Sequence, residues 1–159
     1  ELQANPHWWF GDGRYPTFDE LLGSLDRLLE ACPGTTFIGA HVGCWAENLD
    51  AVGDFLSRHR HWHVDLGGRL AEIGRQPRRF AALVERFPER VLFGTDAFPP
   101  TLQDYSRYYR FLQTSDEHFA YSDEQPPPQG RWSIYGCRLP DQLLRAVYRD
   151  NAHRLLRLP

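Results

Sequence analysis

The stretch Thr35-Thr-Phe-Ile-Gly-Ala-His41 decides the fold class of this chain. It is short and rich in β-branched and aromatic side chains, and Cys32-Pro33-Gly34 ends a helical pattern just before it. These features predict a buried β-strand that starts near residue 35. His41 then stands at the carboxyl end of that strand.

Two further strand-like runs follow at a regular distance along the chain. They are Trp62–Leu66 and Arg90–Gly94, so the three predicted strands begin 27 and 28 residues apart. An amphipathic stretch lies between each pair. This alternation predicts a parallel sheet with right-handed crossovers, either in a doubly wound α/β domain or in a (β/α)8 barrel. Three strands cannot close a barrel of eight.

The helices have recognisable start signals. Thr17-Phe-Asp-Glu20 is the pattern of a capping box, and an apolar stripe of leucines follows it. A second amphipathic stretch covers Ala46–Arg58, and a third begins at Pro77, because proline is favoured at the first helical position. We therefore expect one helix before the first strand and one between each pair of strands.

The regular alternation ends after Asp96. Thr101–Leu112 is predicted to be helical, and a final helical stretch begins at Pro140. Between them, residues 113–139 form a long insertion or loop that contains Pro126-Pro127-Pro128. Segments of this kind are often functional or else disordered. We expect residues 1–159 to form a single, partial domain.

Composition excludes several classes of protein. The charge is -3, and all 18 basic residues are arginines scattered along the chain, so no nucleic-acid footprint is visible. No apolar run approaches the roughly 20 residues of a membrane helix. The three cysteines form no C-x-x-C pair, which excludes a disulfide framework or a thiolate zinc site. We expect a cytoplasmic protein by default, with a small molecule as its substrate and no nucleic-acid or membrane partner.

His41 and Asp96 are the leading candidates for chemistry. Each follows the carboxyl end of a predicted strand and has glycine nearby, and ligands of parallel α/β folds bind at this end. We predict a metal-binding and acid–base role for both. In the alternative interpretation His41 caps a strand and Asp96 caps the following helix.

Other polar residues are weaker candidates. The triplet His59-x-His61-x-His63 lies at the amino end of the second strand, where we expect surface histidines rather than a metal site. Arg69 is placed to bind a substrate carboxylate, or else to pair internally with Asp65 or another carboxylate. Trp45 can form the wall of a substrate pocket or pack between helices. His7 lies in a predicted loop and is a minor candidate.

Three stretches in order resemble a known family. They are Thr36-Phe-Ile-Gly-Ala-His41-Val-Gly43, Val91-Leu-Phe-Gly-Thr-Asp96 and Tyr148-Arg-Asp-Asn-Ala-His-Arg-Leu-Leu156. They resemble the amidohydrolase-related branch of the amidohydrolase superfamily, which includes aminocarboxymuconate-semialdehyde decarboxylase and related aromatic-acid decarboxylases, hydratases and lactone hydrolases. The resemblance extends from Tyr15 onward, except over residues 113–139.

The resemblance implies the C-terminal part of a metal-dependent (β/α)8 barrel, with strands six to eight present. His41 would then orient and polarise the metal-bound water or the substrate, and Asp96 would bind the metal and accept the proton of the water. The implied cofactor is one divalent ion, with Zn2+ expected. The first-strand His-x-His pair and the fifth-strand histidine have no counterpart here. We therefore expect weak metal binding and no turnover from this chain alone, and activity from the full-length protein.

Several interpretations remain open at this stage. The leading one is a hydrolase for a small, carboxylate-bearing molecule, and a decarboxylase on the same barrel is the close alternative. A non-catalytic half-barrel that pairs with a partner chain or with itself, as a homo-oligomer, is another. The remaining interpretation is a doubly wound α/β binding domain, in which His41 and Asp96 serve only as caps.

Overall fold

The computed structural model describes residue 11 and residues 13–158. His7, a minor candidate from the sequence, lies outside the described residues. The chain divides into two compact units, residues 1–35 and residues 36–159. The candidate site lies wholly within the second unit.

The described part of the first unit contains one helix, α1 (Phe18–Ala31). The predicted capping box is confirmed at its start. The Glu20 N–H donates to the Thr17 hydroxyl oxygen, and the Thr17 N–H donates to the Glu20 carboxylate at 2.7 Å. These two bonds satisfy N–H groups that have no partner within the helix. The helix ends at Ala31, before Pro33, as the sequence predicts.

The second unit is built on a parallel three-stranded sheet. Its strands are β1 (Phe37–Gly39), β2 (Trp62–Asp65) and β3 (Val91–Leu92), in the spatial order β1-β2-β3. The predicted parallel alternation is thus confirmed. β3 is shorter than predicted because the N–H of Phe93 donates to the carbonyl of Val147 instead of a neighbouring strand.

Helices follow each strand of this unit, with bounds that differ slightly from those predicted. They are α2 (Ala40–Gly43), α3 (Leu49–Arg58), α4 (Leu70–Ile73) and α5 (Pro77–Arg86). α3 begins three residues later than predicted because the Asn48 side chain caps it, accepting the Ala51 N–H at 3.2 Å. Pro77 occupies the start of α5 as predicted, whereas the short turns α2 and α4 were not predicted.

The C-terminal region begins with α6 (Leu102–Gln113), whose N-cap is Thr101. The alternative in which Asp96 caps this helix is therefore wrong. A π-helical turn (Ala146–Asp150) joins α7 (Asp141–Arg145) to α8 (Asn151–Leu156). The buried Asn151 amide donates to the carbonyls of Pro88 and Val91 at 2.8 Å each, which ties α8 to β3.

The insertion, residues 113–139, is folded against the rest of the second unit. Phe119 and Ile134 are buried and exchange two backbone hydrogen bonds of 3.0 and 2.8 Å in an antiparallel bridge. The N–H of Tyr135 donates to the carbonyl of Gly74 at 2.9 Å. The structure therefore favours an ordered, packed insertion over a disordered one, and its function stays a prediction.

The histidine triplet before β2 differs from its expected surface position. His59 and His63 are only 6% and 8% exposed, so the prediction of surface histidines is wrong for both. The ring of His59 packs 5.7 Å from that of Phe55 in α3. None of the helices in the described part of the chain has the length and apolar character needed to cross a membrane.

The backbone of residues 41–44, which covers most of α2 and its C-cap, forms a left-handed turn. His41, Val42 and Cys44 have φ angles of 60°, 57° and 57°, and Gly43 between them has a φ of 67°. Left-handed backbone costs a non-glycine residue roughly 1–2 kcal/mol because Cβ approaches the next carbonyl oxygen. Val42 is fully buried, so its packing offsets part of this cost. Cys44 is exposed, so burial of its side chain does not offset the cost of its left-handed backbone.

Replacing Cys44 should therefore reveal the cost of this turn. Cys44→Gly is expected to raise the free energy of unfolding by about 0.5–1 kcal/mol, since glycine removes the left-handed penalty but loses some unfolded-state entropy. Urea denaturation measures the change. Cys44→Ala keeps a Cβ and should show no gain, and equal stabilities of the two variants would contradict the argument.

Candidate active site

The structure brings His41 and Asp96 together at the carboxyl end of the sheet. Nδ1 of His41 lies 3.9 Å from Oδ2 of Asp96. His41 follows β1 and Asp96 follows β3, so the two side chains meet across the end of β2, which lies between those strands. Both residues have left-handed backbone, with φ of 60° and 63°. Such backbone in non-glycine residues tends to occur at functional sites.

Gly67 and Gly68, which follow β2, make this approach sterically possible. A Cβ on Gly68 would lie 3.0 Å from Oδ2 of Asp96 and 3.3 Å from Nδ1 of His41, and Gly68 has a φ of +64°. A Cβ on Gly67 would lie 3.3 Å from the Asp96 Cβ. Side chains at either position would push the imidazole and the carboxylate apart.

The His41 ring is oriented by a hydrogen bond to the main chain. Nδ1 lies 2.7 Å from the carbonyl oxygen of Gly67. A carbonyl oxygen can only accept, so Nδ1 carries the proton and Nε2 of the neutral ring keeps its lone pair. Main-chain carbonyls fix the tautomer of metal-binding and catalytic histidines in the same way. Nε2 is thus the nitrogen available to a ligand.

Asp65, at the end of β2, holds the backbone on which the site is built. Its Oδ1 accepts the N–H of His41 at 3.0 Å and the N–H of Gly67 at 2.9 Å. One oxygen atom therefore joins the turn after β1 to the loop after β2. Sequence reasoning placed Asp65 at the carboxyl end of the second strand, beside Arg69, but missed this role. The available signal was a carboxylate at a strand end, two residues before a Gly-Gly pair.

The Asp96 carboxylate is available for a ligand. Its side chain is 59% exposed, and within the described residues it accepts no hydrogen bond. The backbone before it is held in place, because the N–H of Gly68 donates to the Thr95 carbonyl at 3.1 Å. The buried Tyr108 hydroxyl donates to the carbonyl of Leu66 at 3.2 Å, and burial raises the pKa of Tyr108 so that it remains a donor.

Arg69 and Trp45, the predicted substrate-binding residues, contact other side chains of the protein. Nη1 of Arg69 lies 3.9 Å from Oε1 of Glu72, so the internal carboxylate pair is formed with Glu72 rather than with Asp65. Trp45 packs edge-to-face on Phe55 at 6.0 Å, which agrees with the packing alternative. Their substrate-binding roles stay predictions.

A cavity of about 180 Å³ adjoins the site. Gly68 and Thr95 line it on the side of the His41–Asp96 pair, and Tyr121 and Gln129 of the insertion line it on the other. The insertion therefore contributes to a space beside the candidate catalytic groups. Sequence reasoning did not connect the insertion with this cavity.

Comparison with known proteins identifies the family to which the chain belongs. The sequence model of a family described as Amidohydrolase matches residues 2–158, almost the entire chain. The chain belongs to the amidohydrolase family. No curated protein and no solved structure gives a significant match. Membership indicates an enzyme of the metal-dependent hydrolase type, and the small parallel sheet fits part of an amidohydrolase barrel.

Amidohydrolases generally use a divalent metal ion. His41 and Asp96 are ligands of the types that bind such an ion, but two ligands are too few for a complete site. Carboxylate oxygen and imidazole nitrogen are ordinary zinc ligands, and both are accessible here. Protein zinc sites usually supply three or four ligands. No cluster of three or more histidine, cysteine, aspartate or glutamate side chains that could hold a metal occurs within residues 13–158. These two groups alone are fewer than a zinc site usually requires.

Removing the Asp65 carboxylate should loosen the amidohydrolase site locally. Asp65→Ala is expected to lower the free energy of unfolding by about 2 kcal/mol, since two N–H groups lose a charged acceptor. Hydrogen exchange at the His41 and Gly67 amides should accelerate more than at Val64, which is bonded within the sheet to Arg90. Asp65→Asn keeps an acceptor oxygen and should preserve most of the protection. Equal acceleration at all three amides would contradict a local role.

Glu72 provides a prediction about pH. Burial raises the pKa of its carboxyl group from the ordinary 4.5, and Oε2 has no hydrogen-bond partner. A raised folded-state pKa means that the group stabilises the fold fully below its unfolded pKa and loses that contribution as pH rises through the folded value. Glu72→Gln should therefore be more stable than wild type at pH 7, with the difference shrinking below pH 4.5.

Thermal unfolding at the two pH values measures this difference. The exposed Glu85→Gln, with the same change of charge, is a control that should alter the melting temperature little at either pH. A Glu72→Gln variant that is less stable than wild type at pH 7 would show that the ionised carboxylate stabilises the fold.

Proposed function

We propose that this chain is the C-terminal portion, strands six to eight, of a metal-dependent amidohydrolase that hydrolyses a small, carboxylate-bearing molecule. The proposal rests on one observation. In this chain, which belongs to the amidohydrolase family, Nδ1 of His41 and Oδ2 of Asp96 lie 3.9 Å apart across the end of β2. Ligands of parallel α/β folds bind at that end of the strands. The pair thus occupies the position expected of catalytic groups.

The proposed place in a barrel rests on topology. Three consecutive parallel strands in sequential order, with helical crossovers, correspond to part of a barrel wall. In the order implied by the resemblance, β1 would be strand six and β3 strand eight. The remaining strands and the remaining metal ligands would come from elsewhere in the full-length protein.

Asp96 and His41 would contribute ligands to one divalent ion, with Zn2+ as the expected ion. When bound, such an ion would supply a water molecule activated for attack at neutral pH. The exposed Asp96 carboxylate is free to accept the proton of that water. Nε2 of His41, the ring nitrogen that does not bond to Gly67, would either bind the ion or, in the alternative role, orient the water and polarise the substrate.

Substrate binding is proposed for Arg69 and Trp45. The Arg69 guanidinium has one weak carboxylate contact, to Glu72 at 3.9 Å, which leaves terminal N–H donors for a substrate carboxylate. Trp45 follows the left-handed turn closely in sequence, and its half-buried indole would form an apolar wall.

Zinc titration of the 159-residue chain tests the metal role of the pair. We expect weak one-to-one binding by calorimetry, because two ligands are fewer than zinc sites usually supply. Asp96→Asn and His41→Ala should each weaken it by about tenfold or more, since each removes a ligand. The exposed Asp54→Asn and His118→Ala are matched controls and should leave binding unchanged.

Two results would contradict the proposal. One is zinc affinity that does not change in either site variant. The other is a full-length protein whose metal-dependent turnover survives Asp96→Asn. Two assays of the full-length protein distinguish the hydrolase from the decarboxylase. A hydrolase should release carboxylic acid from amides or lactones, and a decarboxylase should release CO2 from aromatic acids.

A further inference from the structure

A second cavity, of about 500 Å³, lies at the amino ends of the strands, opposite to the candidate active site. Arg60 lines it just before β2, and Arg90 lines it just before β3. His63, within β2, and Arg154, in α8, complete its polar wall together with Glu89. None of these residues has a role in the proposed hydrolysis.

The charges around this cavity are unbalanced. Three arginines face one glutamate, and that glutamate is already bound: Oε2 of Glu89 lies 2.7 Å from Nη1 of Arg154. Within the described residues, neither Arg60 nor Arg90 has a carboxylate within 4.0 Å. Charged groups that are withdrawn from water are normally paired. The cavity therefore lacks negative charge.

Polar atoms in this wall also lack partners. Nδ1 of His63, whose residue is 8% exposed, and Nε of Arg90 are buried without a hydrogen bond. Nη2 of Arg90 donates only to main-chain carbonyls, those of His59 and Trp62. A buried polar atom without a partner costs about 1–3 kcal/mol. A ligand with oxygen atoms would offset that cost.

His63 is buried close to the arginines of this cavity. Burial lowers its pKa, and the Arg90 and Arg154 guanidiniums lower it further. The backbones of His61 and Phe37 act in the opposite direction and raise the pKa. Nδ1 has no hydrogen-bond partner, and in a neutral ring protonated on Nε2 this nitrogen is an acceptor. A phosphate that retains one proton can donate to it while its other oxygens accept from arginine.

We propose that this cavity is a binding site for a phosphate-sized oxyanion, held by Arg60, Arg90 and His63. Arg90 supplies a fixed guanidinium, and the exposed Arg60 supplies one that can move onto the ligand. The oxyanion is either free phosphate or the phosphate group of a small molecule. The site is separate from His41 and Asp96, so it stands independently of the proposed hydrolysis.

Phosphate titration of the 159-residue chain, at constant pH and with sodium chloride holding ionic strength constant, tests the site. We expect a saturable rise in melting temperature, as for any ligand that binds only the folded state. Arg60→Gln should weaken phosphate binding by about tenfold, because one charge-assisted contact is lost. Arg60 is exposed in a turn, so the variant should fold, and circular dichroism checks this.

Arg78→Gln is the matched control, since Arg78 is an exposed arginine of α5 outside this cavity and the charge change is the same. It should bind phosphate as wild type does. Glycerol phosphate that binds more tightly than phosphate would identify a phosphorylated small molecule, and equal affinity would identify free phosphate. The proposal is overturned if phosphate acts no differently from chloride, or if both variants weaken binding equally.

Discussion

The candidate active site depends on one carboxylate oxygen, Oδ1 of Asp65, which accepts the N–H groups of His41 and Gly67. At the carboxyl end of a parallel sheet the chain leaves the ladder, and its N–H groups need other partners. Asp65 supplies that partner for two loops at once. The left-handed turn after β1 is held in this way, and the Gly67 carbonyl is placed where it can accept from the His41 ring.

The two ends of the sheet carry opposite chemistry. At the carboxyl end, carboxylates and one imidazole meet around a pair of glycines whose missing Cβ atoms leave room for them. At the amino end, arginines collect with little compensating charge. Parallel strands produce this separation because all their carboxyl ends lie at one edge and all their amino ends at the other. Residues just before and just after a strand therefore belong to different sites.

Much of the local structure could be predicted because its causes are local. The capping box at Thr17, the proline at the start of α5 and the alternation of strands with helices act through near neighbours in the chain, and each was confirmed. His41 and Asp96 were found by their position after a strand. Asp65 was missed because its donors lie 24 residues before it and two residues after it, in loops whose approach depends on the sheet. The burial of His59 and His63 and the packing of the insertion were missed for the same reason.

The sequence by itself determined the alternation of strands and helices, the family and the two leading catalytic candidates, because periodicity, caps and short motifs act over a few residues. Only the tertiary structure decided which nitrogen of His41 is free, which oxygen holds the two loops together, and that Arg69 pairs with Glu72. These outcomes depend on distances between segments far apart in the chain. Such distances exist only after the strands have paired and the left-handed turn has directed the imidazole toward Asp96.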